Sequence, residues 1–121
     1  MTAHQPSNTD QSTNELRRFY LMRNVWIETV TRHTEFSPWT RVIGVDLACW
    51  TSWREPWCWP SMDRIAKDVG CKRHTVIRAV AELELARFIT VQRKKRGGNR
   101  YAIRLPVEYN VAVERLLNVA G

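Results

Sequence analysis

Cysteines are few in this sequence, and their spacing limits what they can do. Cys49, Cys58 and Cys71 make an odd number, and no two of them form a CxxC pair. This pattern argues against a disulfide framework and favours reduced thiols. A zinc site made of the three thiols and His74 is the alternative, but zinc ligands usually come in tight pairs, and only Cys71 and His74 lie close together in the chain. We therefore expect no metal and no cofactor.

Long apolar runs and recognisable catalytic sets are also missing. The longest unbroken apolar stretches are a few residues, far short of the roughly 20 that cross a bilayer. Residues 1–14 are mostly Thr, Ser, Asn, Gln and His, with no basic cluster followed by an apolar run. We expect them to form a disordered arm rather than a secretory signal, with residues 15–121 as a single domain. Without a signal or a membrane span, we expect a cytoplasmic protein. No paired carboxylates, nucleophile–base set or phosphate loop appears, so we expect that it is not an enzyme.

Positive charge is abundant, and it is concentrated in one stretch. Residues 59–104 carry twelve Lys or Arg against four acids, a net charge of +8, whereas the whole chain has +7. A polyanion is the natural partner for charge segregated in this way, because each phosphate that is neutralised releases a condensed counterion.

Helical periodicity and turn signals place this basic stretch on a series of short elements. Apolar residues at helical spacing predict helices over about 14–33 and 39–52. Two prolines make residues 53–60 a loop or a short extended piece. Ser61 is an N-cap candidate with Asp63 in the first turn, and Gly70 supplies a turn. These signals predict a helix from Ser61 to Val69 and a second helix over 72–86. Alternating β-formers predict strands over 89–91 and 101–103 joined by a turn at 96–99, and a last helix begins near Pro106.

The order of a helix, a glycine turn, a second helix and a basic two-stranded wing resembles the winged helix-turn-helix superfamily. More narrowly, it resembles the winged-helix modules of bacterial, plasmid and phage regulators and replication proteins. The matching motifs are Trp59-Pro60-Ser61, Ile65-Ala66, Gly70, Thr75-Val76, Leu83-Glu84 and Asn99-Arg100-Tyr101. The resemblance implies a mostly helical α+β fold, a winged helix-turn-helix with extra N- and C-terminal helices and a DNA-binding core of about 39–105.

One position departs from the family pattern. The family usually has Gly after the second helix, where the chain turns left-handed before the wing, but this sequence has Arg87. A residue with a side chain costs roughly 1 kcal/mol in that conformation. Either the turn differs here, or Arg87 accepts the strain and gains a phosphate contact.

The resemblance also implies which residues would touch DNA. Helix 72–86 would enter the major groove, with base-reading side chains near its start and the wing on the backbone or the minor groove. The base-reading candidates are Arg73, His74, Thr75, Ile77 and Arg78; Ser61, Lys72 and Thr75 are candidates for phosphate. The wing candidates are Arg93, Lys94, Lys95, Arg96, Asn99 and Arg100.

The remaining aromatic and acidic residues have structural interpretations. Trp50, Trp53, Trp57 and Trp59 could form a platform for stacking single-stranded bases, but the family's architecture favours a place in the core. The acids Glu82 and Glu84 are expected to pair with Arg78 and Arg87, respectively, at helical spacing.

These observations predict a sequence-specific double-stranded DNA-binding protein, a transcriptional regulator associated with the nucleoid. The alternative is a plasmid or phage replication or partition protein that binds repeats at an origin or centromere, and an RNA or single-strand binder is the remaining rival. A homodimer is expected through one of two surfaces, either the aromatic first helix (Phe19, Tyr20, Trp26) or the Leu116-Leu117 segment. The sequence does not identify a small-molecule effector.

Overall fold

The computed structural model describes residues 8–120, including the side chains of residues 11–118. The helices and the two wing strands follow one another in the order that the sequence predicts, and one short strand is added. They are α1 (Asn8–Thr31), α2 (Pro38–Cys49), β1 (Trp57–Cys58), α3 (Met62–Val69), α4 (Arg73–Leu85), β2 (Ile89–Gln92), β3 (Arg100–Ile103), a 3-10 turn (Val107–Tyr109) and α5 (Asn110–Ala120).

The first helix is longer than predicted. It begins at Asn8, so residues 8–14, predicted as part of a disordered arm, are helical, and residues 1–7 lie outside the described part of the chain. No Gly or Pro interrupts residues 8–31. Once a helix has a nucleus, each added residue costs little, so a polar segment without a breaker can extend it. The polar composition did not reveal this helical backbone.

Side-chain caps define where the middle helices begin. The Ser37 hydroxyl accepts a hydrogen bond from the Thr40 amide at 3.2 Å, and Pro38 occupies the first turn of α2. In the same way, the Ser61 hydroxyl accepts from the Arg64 amide at 3.0 Å, which confirms the predicted cap of α3. Each cap satisfies an amide that has no partner inside its helix.

The three strands form one antiparallel sheet in the order β1-β3-β2. The wing strands pair with Ile89 opposite Ile103 and Gln92 opposite Arg100. The short β1, predicted only as a loop or extended piece, pairs with the other edge of β3, with Cys58 opposite Tyr101. The segment before α3 is therefore joined by backbone hydrogen bonds to the wing.

The core lies where α1, α2 and α4 meet the base of the wing. Trp26 and Val30 of α1 have no exposed surface, and Gly44 of α2 lets them approach closely. A Cβ atom at Gly44 would lie 3.0 Å from Val30 Cγ1 and 3.3 Å from Trp26 Cη2, closer than normal packing allows. The Trp26 indole N–H donates to the carbonyls of Phe88 and Arg104, each at 2.9 Å. Trp26 thus ties α1 to both strands of the wing.

The prediction that four further tryptophans lie in the core, Trp50, Trp53, Trp57 and Trp59, is wrong. Trp59 is 60% exposed and Trp50 is 42% exposed, while Trp53 and Trp57 are half-buried. The apolar space beside α4 is filled instead by smaller or more distant side chains: Ile43, Leu47, Ile65, Phe88 and Tyr101.

The cysteines differ in their exposure to solvent. Cys58 is buried, Cys49 is exposed, and all three thiols are free. Burial raises the pKa of the Cys58 thiol to about 12, so this thiol keeps its proton. Among the described residues, no group of three His, Cys, Asp or Glu side chains is arranged to hold a metal ion. The part of the chain that the structure covers also has no helix long and apolar enough to cross a membrane.

This arrangement is the mostly helical α+β winged helix-turn-helix that the sequence predicts. Helix α4 was predicted to within one residue at each end, and both wing strands were correctly located.

Candidate nucleic-acid interface

Helices α3 and α4 form the helix-turn-helix, and a left-handed glycine joins them. Gly70 has φ of 77°, and its amide and that of Cys71 both donate to the Ala66 carbonyl, at 2.9 and 3.0 Å. This is the conformation that Gly adopts at low cost, and it ends α3 sharply. Lys72 then caps α4 in an extended conformation.

The second helix of the motif has a buried side and an open side. Val76, Ala79, Val80 and Leu83 are buried against the core. The side chains of His74, Ile77 and Arg78 are exposed, and Thr75 is half-buried. The structure therefore brings the predicted base-reading residues to one end and one side of α4, with an apolar side chain, Ile77, among them.

The two arginines of this surface, Arg73 and Arg78, differ in whether they already have an ion-pair partner. Arg73 Nη1 lies 3.3 Å from Asp63 Oδ2, an exposed ion pair that links the starts of α3 and α4. Arg78 has no ion-pair or hydrogen-bond partner within the described residues. Its guanidinium group is therefore free to meet a ligand, whereas Arg73 must share its charge with Asp63.

No side chain caps the N-terminus of α4, although one caps α3. Lys72 makes no side-chain hydrogen bond to the first turn of α4. The amides at this end, together with the exposed ammonium group of Lys72, are available to an anion, which the helix dipole also favours.

The wing ends in two left-handed glycines, Gly97 (φ 85°) and Gly98 (φ 78°), which confirms the predicted turn. Lys94, Lys95 and Arg96 are exposed there, and none has an ion-pair partner in the part of the chain that the structure covers. The tip of the hairpin therefore carries three uncompensated positive charges on a narrow backbone.

Arg93 is different from the other wing cations, because it is already paired. Its two terminal nitrogens donate to the two carboxylate oxygens of Glu84, at 2.9 and 2.7 Å. The same hydrogen bonds lower the pKa of Glu84. This bidentate contact connects the last turn of α4 to the end of β2 and positions the base of the wing.

The predicted pairing of the α4 acids is wrong. Glu84 binds Arg93 rather than Arg87, and Glu82 accepts a hydrogen bond from the Thr40 hydroxyl at 2.9 Å. The spacing along one helix identified possible partners for these acids. Spacing along α4 could not identify partners on other elements, and both acids find their partners there, on α2 and on the wing.

Asn99 and Arg100 are placed at the start of β3, next to other parts of the sheet. The pKa of the Tyr101 hydroxyl is raised mainly by burial and lowered in part by Asn99. The Arg100 guanidinium lies 5.8 Å from the centre of the Trp59 ring. Sequence motifs identified both residues but not these contacts.

Arg87 does take the left-handed conformation, with φ of 66°. The Phe88 amide donates to the Leu83 carbonyl at 2.9 Å, and the Arg87 amide to the Glu84 carbonyl at 3.0 Å. These two hydrogen bonds are those of a Schellman motif, in which Gly normally occupies the position of Arg87. The turn is therefore the usual one, and the first of the two sequence alternatives, a different turn, is excluded.

A family model agrees with this geometry. The model of a helix-turn-helix domain matches residues 47–89, from the end of α2 to the start of β2. The chain also resembles a solved structure of Bordetella bronchiseptica BpsR, a protein whose DNA binding is regulated by 6-hydroxynicotinic acid. The identity is 14%, the aligned part is 97% of this chain and 79% of that chain, and the TM-score is 0.45. A likeness this distant carries no argument about what this chain binds. Comparison with curated proteins finds no match.

Proposed function

We propose that this chain is a non-enzymatic regulator that binds double-stranded DNA in a sequence-specific manner. The observation that carries the proposal is the open side of α4, where His74, Ile77 and Arg78 are exposed beside the unpaired cations of the wing. A helix with free polar and apolar side chains on one side fits the major groove of B-DNA.

On this proposal the start of α4 distinguishes bases. Arg78 is free to form two hydrogen bonds to the N7 and O6 atoms of guanine, and Ile77 offers an apolar contact to a thymine methyl group. His74 adds a donor or acceptor to the same surface. Arg73 contributes only if it leaves Asp63 or shares its charge, so it is the weaker candidate of the two arginines.

Other residues would hold the phosphates. Ser61, Lys72 and Thr75 lie at or beside the starts of α3 and α4, where backbone amides point outward. Lys94, Lys95 and Arg96 of the wing would contact the backbone or the minor groove beside it. Arg93 is assigned a positioning role, because Glu84 already occupies its donors.

A homodimer is part of the proposal, and the structure changes which surface suits it. Trp26 is fully buried, so it cannot belong to a dimer interface, contrary to one of the two surfaces suggested by the sequence. The exposed apolar residues Leu16 of α1 and Leu116 of α5 remain, on two helices that the Arg18–Glu114 ion pair connects. A dimer that binds two half-sites one helical turn apart needs its two α4 helices about 34 Å apart. Sedimentation of a strict monomer at micromolar concentration would contradict this part of the proposal.

Selection of bound sequences from a random duplex pool tests the proposed function. We expect one recurring motif, palindromic if the protein is a dimer. Closely spaced direct repeats would favour the replication or partition alternative. If the selected sequences share no motif, sequence-specific recognition is ruled out.

Two sets of substitutions then separate base reading from phosphate binding. Arg78→Ala should lower specific affinity by about 1–3 kcal/mol and relax the preference at one base position.

Replacing Lys94 and Lys95 with Ala should weaken the binding of all duplexes alike and reduce the salt slope by about one unit for each lost contact. Arg32→Ala, which removes an exposed cation that follows α1 and pairs with Glu28, is the control and should change neither quantity. If Arg78→Ala leaves the selected motif unaltered, α4 does not read this site.

A further inference from the structure

Three of the tryptophans expected in the core instead line an open groove. Trp50, Trp57 and Trp59, with Glu55, Cys58 and Pro60, surround a cavity of about 320 Å³. This is near the lower end of the ~300–1,000 Å³ typical of small-ligand sites. Exposed apolar side chains gathered in one patch mark interaction sites, whereas singly scattered ones do not. We call this surface the tryptophan groove.

Two arginines lie over the rings of the groove. Arg100 of the wing is 5.8 Å from the centre of the Trp59 ring, and Arg64 of α3 is 5.6 Å from that of Trp50. Arg64 is already paired with Asp68, whereas Arg100 has no ion-pair partner among the described residues and keeps its charge free. An aromatic face for the base next to a cation for the phosphate is the combination by which proteins hold unpaired nucleotides.

The Trp50 ring is held in place before any ligand arrives. Its indole N–H donates to Asp68 Oδ2 at 3.2 Å, and Arg64 Nε donates to the other oxygen of the same carboxylate at 2.9 Å. A fixed ring loses little conformational entropy when a base stacks on it.

The tryptophan groove is continuous with the candidate DNA surface. Cys58 pairs with Tyr101 in the sheet, so Trp59 follows it on the side of Arg100, and Ser61 caps α3 two residues later. The groove therefore lies next to the surface on which α4 and the wing would hold a duplex, where a strand that leaves the duplex can reach it.

We infer that the tryptophan groove binds an unpaired base of a DNA strand that continues from the duplex on α4 and the wing. The inference deepens the proposed function and rests on it for the position of the duplex. Stacking accepts any base, but the Glu55 carboxylate beside the rings offers an acceptor for an exocyclic amino group. Cytosine, adenine and guanine, which carry such a group, should thus be preferred to thymine.

The test compares a blunt duplex of the selected sequence with the same duplex carrying a short single-stranded dC extension at either end. Fluorescence anisotropy should show binding about 5-fold tighter, or more, to one of the extended duplexes, since each stacked base contributes at least this factor. Trp59→Ala should abolish the difference while the affinity for the blunt duplex stays unchanged. Trp59→Phe, which keeps an aromatic ring, should retain part of it.

Trp39→Ala is the matched control, because Trp39 is also exposed, at 45%, but lies on α2 outside the groove. This variant should keep the full preference for the extended duplex. Circular dichroism confirms that each variant is folded, which is expected for substitutions of exposed side chains.

Several results would overturn the inference. Equal binding of blunt and extended duplexes by the unaltered protein is one. A loss of blunt-duplex affinity in Trp59→Ala that equals the loss for the extended duplex is another, because it would place Trp59 on paired DNA. Self-association that disappears in Trp59→Ala would show that a second copy of the chain occupies the groove.

A titration with a single-stranded dC oligomer alone separates this inference from the proposed function. If no duplex binds but the oligomer quenches tryptophan fluorescence in a Trp59-dependent manner, the groove binds unpaired bases and the duplex function is wrong. If neither nucleic acid binds, both proposals fail.

Discussion

Trp26 and Trp59 occupy opposite environments in the same small domain. Trp26 is fully buried, and its N–H donates to two backbone carbonyls at the base of the wing. Trp59 is 60% exposed, and its ring faces a guanidinium group and a groove. Residue type alone does not distinguish the two. What distinguishes them is whether the surrounding chain supplies both an apolar enclosure and an acceptor for the indole N–H.

The two regions therefore serve different ends. The junction, made of Trp26, Val30, Phe36 and Phe88, fixes α1 against the segment between α4 and the wing by packing rings and aliphatic groups together. The tryptophan groove contributes little enclosed apolar surface, so its side chains are available to a partner. Substitutions in the junction should change stability, and those in the groove should change binding.

The largest effect is expected at the junction. Trp26→Phe should lower the free energy of unfolding by about 2–4 kcal/mol, because it leaves a cavity and removes the donor that both carbonyls share. Denaturant unfolding followed by circular dichroism measures this. Trp39→Phe, at an exposed tryptophan, should change stability by less than about 0.5 kcal/mol. Similar midpoints for the two variants would contradict the assigned role of Trp26.

A smaller effect of opposite sign is expected at Arg87, the residue that precedes Phe88 of the junction. Arg87→Gly should raise the free energy of unfolding by about 1 kcal/mol, since Gly takes φ of 66° without steric strain. Arg87→Ala is the control, because it removes the same charge and keeps the strain. If both variants are equally stable, the left-handed turn is not the source of the effect.

The same two substitutions address the second half of the sequence hypothesis at this position. If Arg87 contacts a phosphate, both should reduce the salt dependence of DNA binding by about one unit. The comparison thus separates the conformational cost of Arg87 from the value of its charge.

Elements marked by local chemistry were predictable from the sequence. Ser61 at the start of α3, Gly70 at its end and Gly97-Gly98 in the wing each act through the backbone within a few residues. Their positions were therefore correct without any knowledge of tertiary contacts, and the family resemblance supplied their order. The helical spacing of Val76, Ala79, Val80 and Leu83 likewise identified the buried side of α4.

Features that depend on distant parts of the chain were missed. Glu84 finds Arg93 across the turn into the wing, and Glu82 finds Thr40 on α2. The short β1 exists because β3 offers it an edge, and the tryptophans that flank it remain open because smaller side chains fill the core. No periodicity within a window of the sequence records such contacts. The exposed aromatic groove could only be recognised once the burial of each ring was known.

The last effect, similar in size, concerns the carboxylates beside the tryptophan groove. Asp46 of α2 faces Asp68, the residue that orients Trp50 and Arg64. Burial, followed by the charge and hydrogen bond of Asp68, raises the pKa of Asp46 from 3.8 to about 6. Between these two values the folded protein binds a proton that the unfolded chain has released. Stability should therefore fall as pH rises through this window, and the loss is complete above pH 6.

Asp46→Asn removes this titration and keeps the shape of the side chain. At pH 8 the variant should be more stable than the original protein by about 1 kcal/mol, a value reduced for partial exposure to solvent, and near pH 4 the two should be alike. Urea unfolding at both pH values measures the difference, with the exposed Glu108→Gln as the control. A gain of the same size at both pH values would mean that packing, rather than the burial of an ionised Asp46 next to Asp68, is responsible. A gain confined to high pH would show that this carboxylate pair opposes folding while Asp68 holds Trp50 in place for the groove.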